Sequence, residues 1–147
     1  MRAVTLVAIV LLTLAAYSAA TAGAPAPLGV NSRTIGGGNL NTYTQGVQDG
    51  VGLNNIGMLV RMWGKVTFVD AQNKFFYLDD GGRRIDGSGH LGVRVSYDDL
   101  ADGRSFNPPT ENWIVAVTGI SSTTVISGKV QPNLMPRSGS DMIQFGP

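Results

Sequence analysis

Cysteine is absent from this chain of 147 residues. Its absence excludes disulfides, thiolate zinc sites and catalytic thiols, so the fold must be stabilised by its core alone. Histidine is almost absent as well, since His90 is the only one. Transition-metal sites usually combine several histidines or cysteines, so a lone histidine argues against such a site. We therefore expect no metal ion and no other cofactor.

Charge of either sign is also scarce. Eleven Lys and Arg stand against ten Asp and Glu, and removal of Arg2 with a leader peptide would leave ten against ten. A neutral chain exerts no long-range attraction on polyanions, and sequence-independent nucleic-acid binding rests mainly on phosphate neutralisation. Any binding of nucleic acid must therefore come from local patches of the surface.

The only long apolar run lies at the N-terminus and predicts a signal peptide over residues 1–22. Met1 and Arg2 supply a positive start, the run AVTLVAIVLLTLAA follows, and small residues at A-x-A spacing then predict cleavage after Ala22 or Ala24. The alternative is a retained membrane anchor, but the run is short for a bilayer and no basic stop follows it. We expect a secreted, cell-surface or periplasmic protein with no membrane span after cleavage.

Residues 23–56 are rich in Gly, Asn and Thr and contain only two formal charges, Arg33 and Asp49. The glycines favour an irregular path, whereas disordered segments are usually more highly charged than this one. We predict an extended arm that packs on its own domain, on an adjacent domain or on a neighbouring subunit. The apolar residues available for that packing are Ile35, Leu40, Val47, Val51 and Leu53.

Residues 57–147 have the alternation and turn signals of an all-β domain, with no long amphipathic helix. Pro132 and Pro136 each remove a ladder donor, so the last strand must be an edge or contain bulges. The predicted strands are MLVRMWGKVTFVD, KFFYLDD, VRVSY, WIVAVTGISSTTVIS and a broken fifth, VQPNLMPRSGSDMIQF. We expect a small five-stranded barrel. Its predicted core residues are Val60, Met62, Val66, Phe68, Phe76, Leu78, Val93, Val95, Val115, Val117, Ile120, Val125 and Ile126.

Four pieces of this pattern resemble, in order, bacterial secreted domains of the oligonucleotide/oligosaccharide-binding (OB) fold family. They are Val60-x-Met62-x-Gly64-x-Val66, Phe76-x-Leu78-x-Asp80-Gly81, Val93-x-Val95 and Val115-x-Val117-x-Gly119. The resemblance covers about residues 57–130 and implies a non-enzymatic binding barrel. The chain departs from many members of the family by lacking a clear helix between the third and fourth predicted strands.

The resemblance also implies a ligand face across the outward side of the first three predicted strands. Bases or sugar rings would stack on its aromatic rings, and phosphates would meet its cations. The implied ligand-binding residues are Arg61, Trp63, Lys65, Phe75, Tyr77 and Arg94, with Arg83 and Arg84 in the adjacent loop. The ligand would be single-stranded nucleic acid or an oligosaccharide. Two ordinary alternatives stay open: Phe75 and Trp63 form a cross-strand pair, or the arm covers Trp63.

The acidic residues give little indication of a calcium site or of a catalytic site. Asp79, Asp80 and Asp86 do not have the spacing of a calcium loop, and Asp-Gly turns explain them. The carboxylates that glycoside hydrolysis would need all fall in a flexible-looking connector, with no sign of a shielded pocket: Asp98, Asp99, Asp102 and Glu111. We therefore predict no catalytic residues and a protein that is not an enzyme.

A second function class remains. The nearly uncharged arm at residues 23–56 is suited to add as a strand to the exposed edge of a neighbour. In that case the protein would be a structural or assembly subunit of the cell surface or of an extracellular fibre, self-associating through the arm.

Overall fold

The computed structural model of the chain describes residues 25–98, 100 and 106–147. The predicted signal peptide, Asp99 and Asp102 lie outside these residues. Seven strands occur in the described part: β1 (Leu28–Gly29), β2 (Leu59–Asp70), β3 (Phe75–Asp79), β4 (Val93–Ser96), β5 (Ile114–Ile126), β6 (Lys129–Met135) and β7 (Met142–Gly146). The only helical element there is a single 3-10 turn at Gly139–Asp141. The prediction of an all-β class is confirmed.

The strands form one mixed sheet in the order β1-β2-β3-β4-β6-β5-β7, and an additional β2–β5 pairing bends five of them into a partial ring. Within the ring every pairing is antiparallel except that of β4 with β6, which is parallel and short, at Arg94↔Asn133 and Val95↔Leu134. β1 lies beside β2 and β7 beside β5, outside the ring. Seven strands therefore stand where five were expected. One reason is that the predicted fifth strand divides after Met135 into β6 and β7, with Pro136 between them.

The core lies inside the partial ring, where alternate residues of its strands meet. Most of the predicted core is confirmed: these side chains are at most 1% exposed. They are Val60, Met62, Val66, Phe76, Leu78, Val93, Val95, Val115 and Val117. Phe106, Tyr97 and Leu134 join them and were not predicted.

The prediction that Phe68 belongs to the core is wrong, because the strand register shifts just before it. Val66 is paired with Leu78, but Phe68 is already paired with Tyr77, so Thr67 is an extra residue on β2. Such a bulge reverses the alternation. Val69 therefore packs against the core, and Phe68 turns outward.

The far end of β5 also leaves the core. Ile120 and Ile126 are only half-buried and Val125 is 70% exposed, so their assignment to the core is wrong. This half of β5 pairs with β6 as a hairpin that ends at Ser127 and Gly128. The β-branched residues that alternate along this half of β5 therefore favour the extended conformation of a long hairpin, and they do not indicate burial.

The segment before β2 packs on its own chain. Ile35 is fully buried in the core and Val47 is nearly so, whereas Leu40, Val51 and Leu53 are exposed. Asn55 ties the segment to β5: its Oδ1 accepts hydrogen bonds from the Gly36 N–H at 2.9 Å and from the Ser121 hydroxyl at 2.8 Å. Residues 25–56 thus share one core with the strands.

Glycine makes the folded path of this segment feasible. A Cβ on Gly37 would lie 2.1 Å from the Leu53 carbonyl oxygen, and one on Gly50 would lie 2.1 Å from the carbonyl oxygen of Gly37. Because no real Cβ tolerates such distances, the two turns of the segment pack backbone against backbone. The glycine-rich composition therefore reflects compact packing as well as an irregular path.

Candidate ligand groove

The predicted ligand face divides into two separate regions. Arg61, Trp63 and Lys65 are exposed on β2, with Trp63 at 65%. Trp63 pairs with Ala116, whereas Phe75 pairs with Asp70 and Ser96. Phe75 is thus paired seven residues along β2 from Trp63, so the two backbone positions are separated by about 23 Å along the strand. The alternative that Phe75 and Trp63 form a cross-strand pair is therefore wrong.

The Phe75 region is an aromatic cluster of Phe68, Phe75, Tyr77 and His90 that packs on itself. The rings of Phe68 and His90 stack at 3.7 Å between centroids, and Phe75 meets Tyr77 edge-on at 6.1 Å. Tyr77 is fully buried, unlike the open ring that alternation along β3 indicated. Loop 80–92 covers it, because His90 on that loop lies 5.2 Å from its ring.

Tyr77 also has a polar partner inside the cluster. Its hydroxyl donates a 2.7 Å hydrogen bond to Oδ2 of Asp86, which is itself buried. Burial, assisted by the neighbouring Asp86 carboxylate, raises the pKa of Tyr77 to about 12. The hydroxyl is therefore a structural donor that holds loop 80–92 against the sheet, and it is not free to bind a ligand.

Arg94 is engaged in the same region. Its guanidinium carbon lies 3.7 Å from the centre of the Phe75 ring, and its Nε donates to the Ser96 hydroxyl at 3.2 Å. A cation held over a ring face contributes about 0.5–1 kcal/mol at a partly exposed site. The Arg94 guanidinium thus occupies the face of the Phe75 ring, and a ligand would have to displace it in order to stack there.

The Trp63 region opens into a groove between β2 and the preceding segment, which we call the arm groove. Three adjoining clefts form it, with volumes of about 740, 350 and 450 Å³. The first and second share Asn31 and Trp63, and the second and third share Arg33 and Gly82. The groove therefore runs from Arg61 and Trp63 toward the loop that carries Arg83 and Arg84.

The wall of the groove is fixed by hydrogen bonds from residues 30–34. Val30 donates its N–H to the Arg61 carbonyl at 3.0 Å, which extends the β1 pairing by one residue. Ser32 donates its N–H to Oδ2 of Asp80 at 2.8 Å. Burial alone would raise the pKa of Asp80, but hydrogen bonds from Ser32 and from the Gly82 N–H outweigh it and lower the pKa. The carboxylate is charged at neutral pH and binds the wall to the loop after β3.

Both the ring and the backbone of Trp63 face the groove. Val66 donates its N–H to the Trp113 carbonyl, whereas the Arg61 carbonyl accepts from Val30 on the opposite edge of β2. Because the bonding direction alternates along a strand, Trp63 turns its N–H and C=O to the same edge as Arg61. On that edge the pairing of β2 with β1 ends at Arg61, and its pairing with β3 begins at Lys65. The edge beside Trp63 therefore lies between the two partner strands. A ligand beside Trp63 would meet an aromatic face and a peptide edge together.

Arg84 is among the predicted ligand-binding residues, but most of its guanidinium is used to hold the groove together. It donates to the carbonyl oxygens of Ser32 (3.2 Å) and Gln48, and to Oε1 of Gln131 on β6 at 3.2 Å. Arg83 is exposed beside it. Arg33 lines the groove on the opposite wall; sequence reasoning left it out of the site, although it is the only cation between residues 23 and 56.

The other acidic and histidine candidates have local partners. Asp79 accepts the Arg83 N–H at 2.9 Å, Glu111 accepts the Val69 N–H at 3.0 Å, and His90 stacks on Phe68. In the part of the chain that the structure describes, no three His, Asp or Glu side chains come together as a set that could hold a metal ion. Nor does any helix of those residues have the length and apolar character to cross a membrane.

The groove has to be interpreted from its own residues. No protein-family model matches the chain, and comparisons with curated proteins and with solved structures found no match either.

Proposed function

We propose that the protein is an exported, non-enzymatic binding module of the OB type, which holds a linear ligand in the arm groove. The ligand is a single-stranded nucleic acid or an oligosaccharide. The observation that carries the proposal is the exposed Trp63 ring, which stands between Arg61 and Lys65 on β2 and borders two adjoining clefts of the groove. The ring is 65% exposed and lies outside the buried core cluster, so core packing does not explain it.

The order of strand pairing supports the OB assignment. OB domains are five-stranded, partly open Greek-key barrels. In this chain the five strands of the partial ring pair in the order β2-β3-β4-β6-β5, with β6 inserted between β4 and β5. Gly64 and Gly119 lie where strands approach closely: an added Cβ would be 2.4 Å from the Asp79 carbonyl oxygen and 2.5 Å from that of Met135. Glycine at such points lets strands curl toward closure.

The arm groove accounts for binding better than the face across β3 and β4. On that face the aromatic cluster and Arg94 already satisfy one another. In the groove, a base or sugar ring stacks on Trp63, and a stacked base contributes about 1–3 kcal/mol. Arg61 on β2 and Arg33 across the groove then lie beside the ligand backbone.

The test compares two exposed aromatic residues. Isothermal titration at low salt with an eight-residue oligo-dT and with a panel of hexasaccharides would be run on wild type, Trp63→Ala and Tyr43→Ala. Tyr43 is the matched control because its ring is 96% exposed and lies outside the lining of the groove. We expect wild type and Tyr43→Ala to bind one ligand class equally, and Trp63→Ala to bind at least about fivefold more weakly. The proposal is overturned if wild type binds neither ligand class, or if the two variants lose the same amount of affinity.

A second candidate function is assembly, and the observation that favours it is β7. This strand forms one end of the sheet, and its Ile143 and Phe145 side chains are 47% and 65% exposed. An apolar strand at a sheet edge is a template for pairing with another chain. Residues 25–56 are less suited to that role, because Ile35 is part of the core of its own chain.

Measuring the mass of the protein in solution tests assembly. Light scattering over a range of concentrations would be compared for wild type and for Ile143→Lys, which places a charge on the β7 edge. A wild-type oligomer that Ile143→Lys dissociates supports assembly. A wild-type monomer at every concentration removes it.

A further inference from the structure

Three guanidinium groups meet at the third cleft of the arm groove, whose volume is about 450 Å³. Arg33 comes from the segment before β2, and Arg83 and Arg84 come from the loop after β3. The lining holds only one carboxylate, that of Asp49, which already accepts a 2.9 Å hydrogen bond from the Gln48 amide. Three cations and one anion leave an excess of two positive charges in a cleft of a nearly neutral protein.

Arg84 is a half-buried cation without a carboxylate in contact. Its three acceptors are the neutral oxygens of Ser32, Gln48 and Gln131. The only ion pair within the described ranges joins Arg137 to Asp141. The Nε–H of Arg84 is buried and has no hydrogen-bond partner there. Burial lowers the pKa of Arg84, while the more distant charges of Asp49 and Asp86 act in the opposite direction. An anion entering the cleft would offset this unfavourable burial of charge.

The two exposed arginines are held by fixed backbone. Arg83 has a positive φ of 51°, and its N–H donates to Oδ1 of Asp79 at 2.9 Å. Arg33 donates its N–H to Oδ1 of Asn31 at 3.0 Å. A non-glycine residue in the left-handed region is uncommon and costs of order 1 kcal/mol, so it persists only where its surroundings impose it. The loop thus presents Arg83 from a defined position next to Arg84.

We infer that this cleft is an oxyanion subsite that takes a phosphate or sulfate group of the ligand. The guanidinium forks of the exposed Arg33 and Arg83 match a tetrahedral oxyanion through paired N–H donors, and the half-buried positive charge of Arg84 beside them adds to the attraction. The inference rests on the proposed function in one respect: the group belongs to a ligand that also passes Trp63. It makes the ligand an anionic oligomer, in which one end stacks on Trp63 and an anionic group lies against Arg33 and Arg83.

The first part of the test uses small anions alone. Inorganic sulfate and inorganic phosphate would be titrated at low ionic strength into wild type, into the double variant Arg33→Gln/Arg83→Gln, and into the control Lys74→Gln/Lys129→Gln. The control removes the same number of exposed cations outside the groove. Circular dichroism checks that each variant is folded. We expect saturable binding by wild type and the control, and at least a tenfold loss in the arginine variant. No saturable binding by wild type, or equal affinities in the two double variants, overturns the inference.

The second part identifies the source of the anion and separates this inference from the proposed function. Oligo-dT, a sulfated hexasaccharide and its desulfated form would be titrated into wild type, the arginine variant and Trp63→Ala. Preference for oligo-dT or for the sulfated sugar, lost in the arginine variant, supports the subsite and names its source. Binding that depends on Trp63 but not on Arg33 and Arg83 overturns the subsite and leaves the groove function standing. Sulfate binding without any effect of Trp63→Ala on oligomers keeps the subsite and refutes the groove function.

Discussion

The two halves of the predicted ligand face differ in whether the chain itself covers them. Trp63, at the arm groove, is 65% exposed, whereas Tyr77, in the aromatic cluster, is fully buried. Both residues lie at outward positions of their strands. Loop 80–92 folds over Tyr77 through Asp86 and His90, while residues 30–34 pass beside Trp63 and leave its ring open. An outward position on a strand therefore does not by itself leave an aromatic ring exposed to solvent. The path of the neighbouring loop decides whether the ring is buried, as in Tyr77, or exposed, as in Trp63.

Among the substitutions that test this difference between Tyr77 and Trp63, Tyr77→Ala should have the largest effect on stability. Truncation of a fully buried aromatic leaves a cavity, and we expect the free energy of unfolding to fall by about 4 kcal/mol. Urea denaturation followed by circular dichroism measures it. A loss below about 1 kcal/mol, the typical effect of a point mutation, would show that the aromatic cluster is open in solution.

Ile35→Ala tests whether the wall of the groove belongs to the core. Ile35 is fully buried, so its truncation should cost about 3 kcal/mol. Leu53→Ala is the control, because Leu53 lies in the same segment and is 84% exposed. Equal stability of the two variants would mean that residues 25–56 detach from the strands in solution.

A smaller effect is expected from Tyr77→Phe, which removes only the hydroxyl. Oδ2 of the buried Asp86 loses its donor, and we expect the free energy of unfolding to fall by about 1–3 kcal/mol near neutral pH. The pKa of Tyr77 is raised from 10.0 to about 12, so the folded state favours the neutral phenol. The stability from this difference is fully present below pH 10 and is lost as the pH rises toward 12.

Unfolding measured across this pH range would separate Tyr77 from the other tyrosines. Burial also raises the pKa of Tyr97, so part of the decline persists in Tyr77→Phe. Wild type, measured in parallel, gives the reference decline. If Tyr77→Phe declined as steeply as wild type, Tyr77 would not be buried with a raised pKa in solution.

The smallest effect on stability should be that of Trp63→Ala. A side chain that is mostly exposed and outside the core shifts the free energy of unfolding by no more than about 0.5 kcal/mol. Thermal unfolding of this variant beside Tyr77→Ala gives the comparison directly. A loss as large as that of Tyr77→Ala would make Trp63 a packing residue and remove the reason for treating it as a binding platform.

Alternation along the chain predicted much of the molecule. It located β2 to β5 to within a residue or two and placed Val60, Met62 and Val66 in the core, because a strand with one buried face must alternate. It failed at Phe68, where a single extra residue on β2 reverses the pattern without leaving a distinct signal in the sequence. It also failed at Val125, because a long exposed hairpin uses the same β-branched residues as a buried strand.

The sequence by itself determined the chemistry that the protein has at its disposal. It excluded cysteine chemistry, established the balanced charge and placed Trp63 between two cations on an outward face. Only the tertiary structure decided which of these groups meet. The arm groove joins Arg33 to Arg83 and Arg84, some fifty residues away along the chain, and loop closure buries Tyr77 but not Trp63. The physical reason is that composition and alternation are local properties, whereas exposure and convergence depend on which distant segment packs across a face.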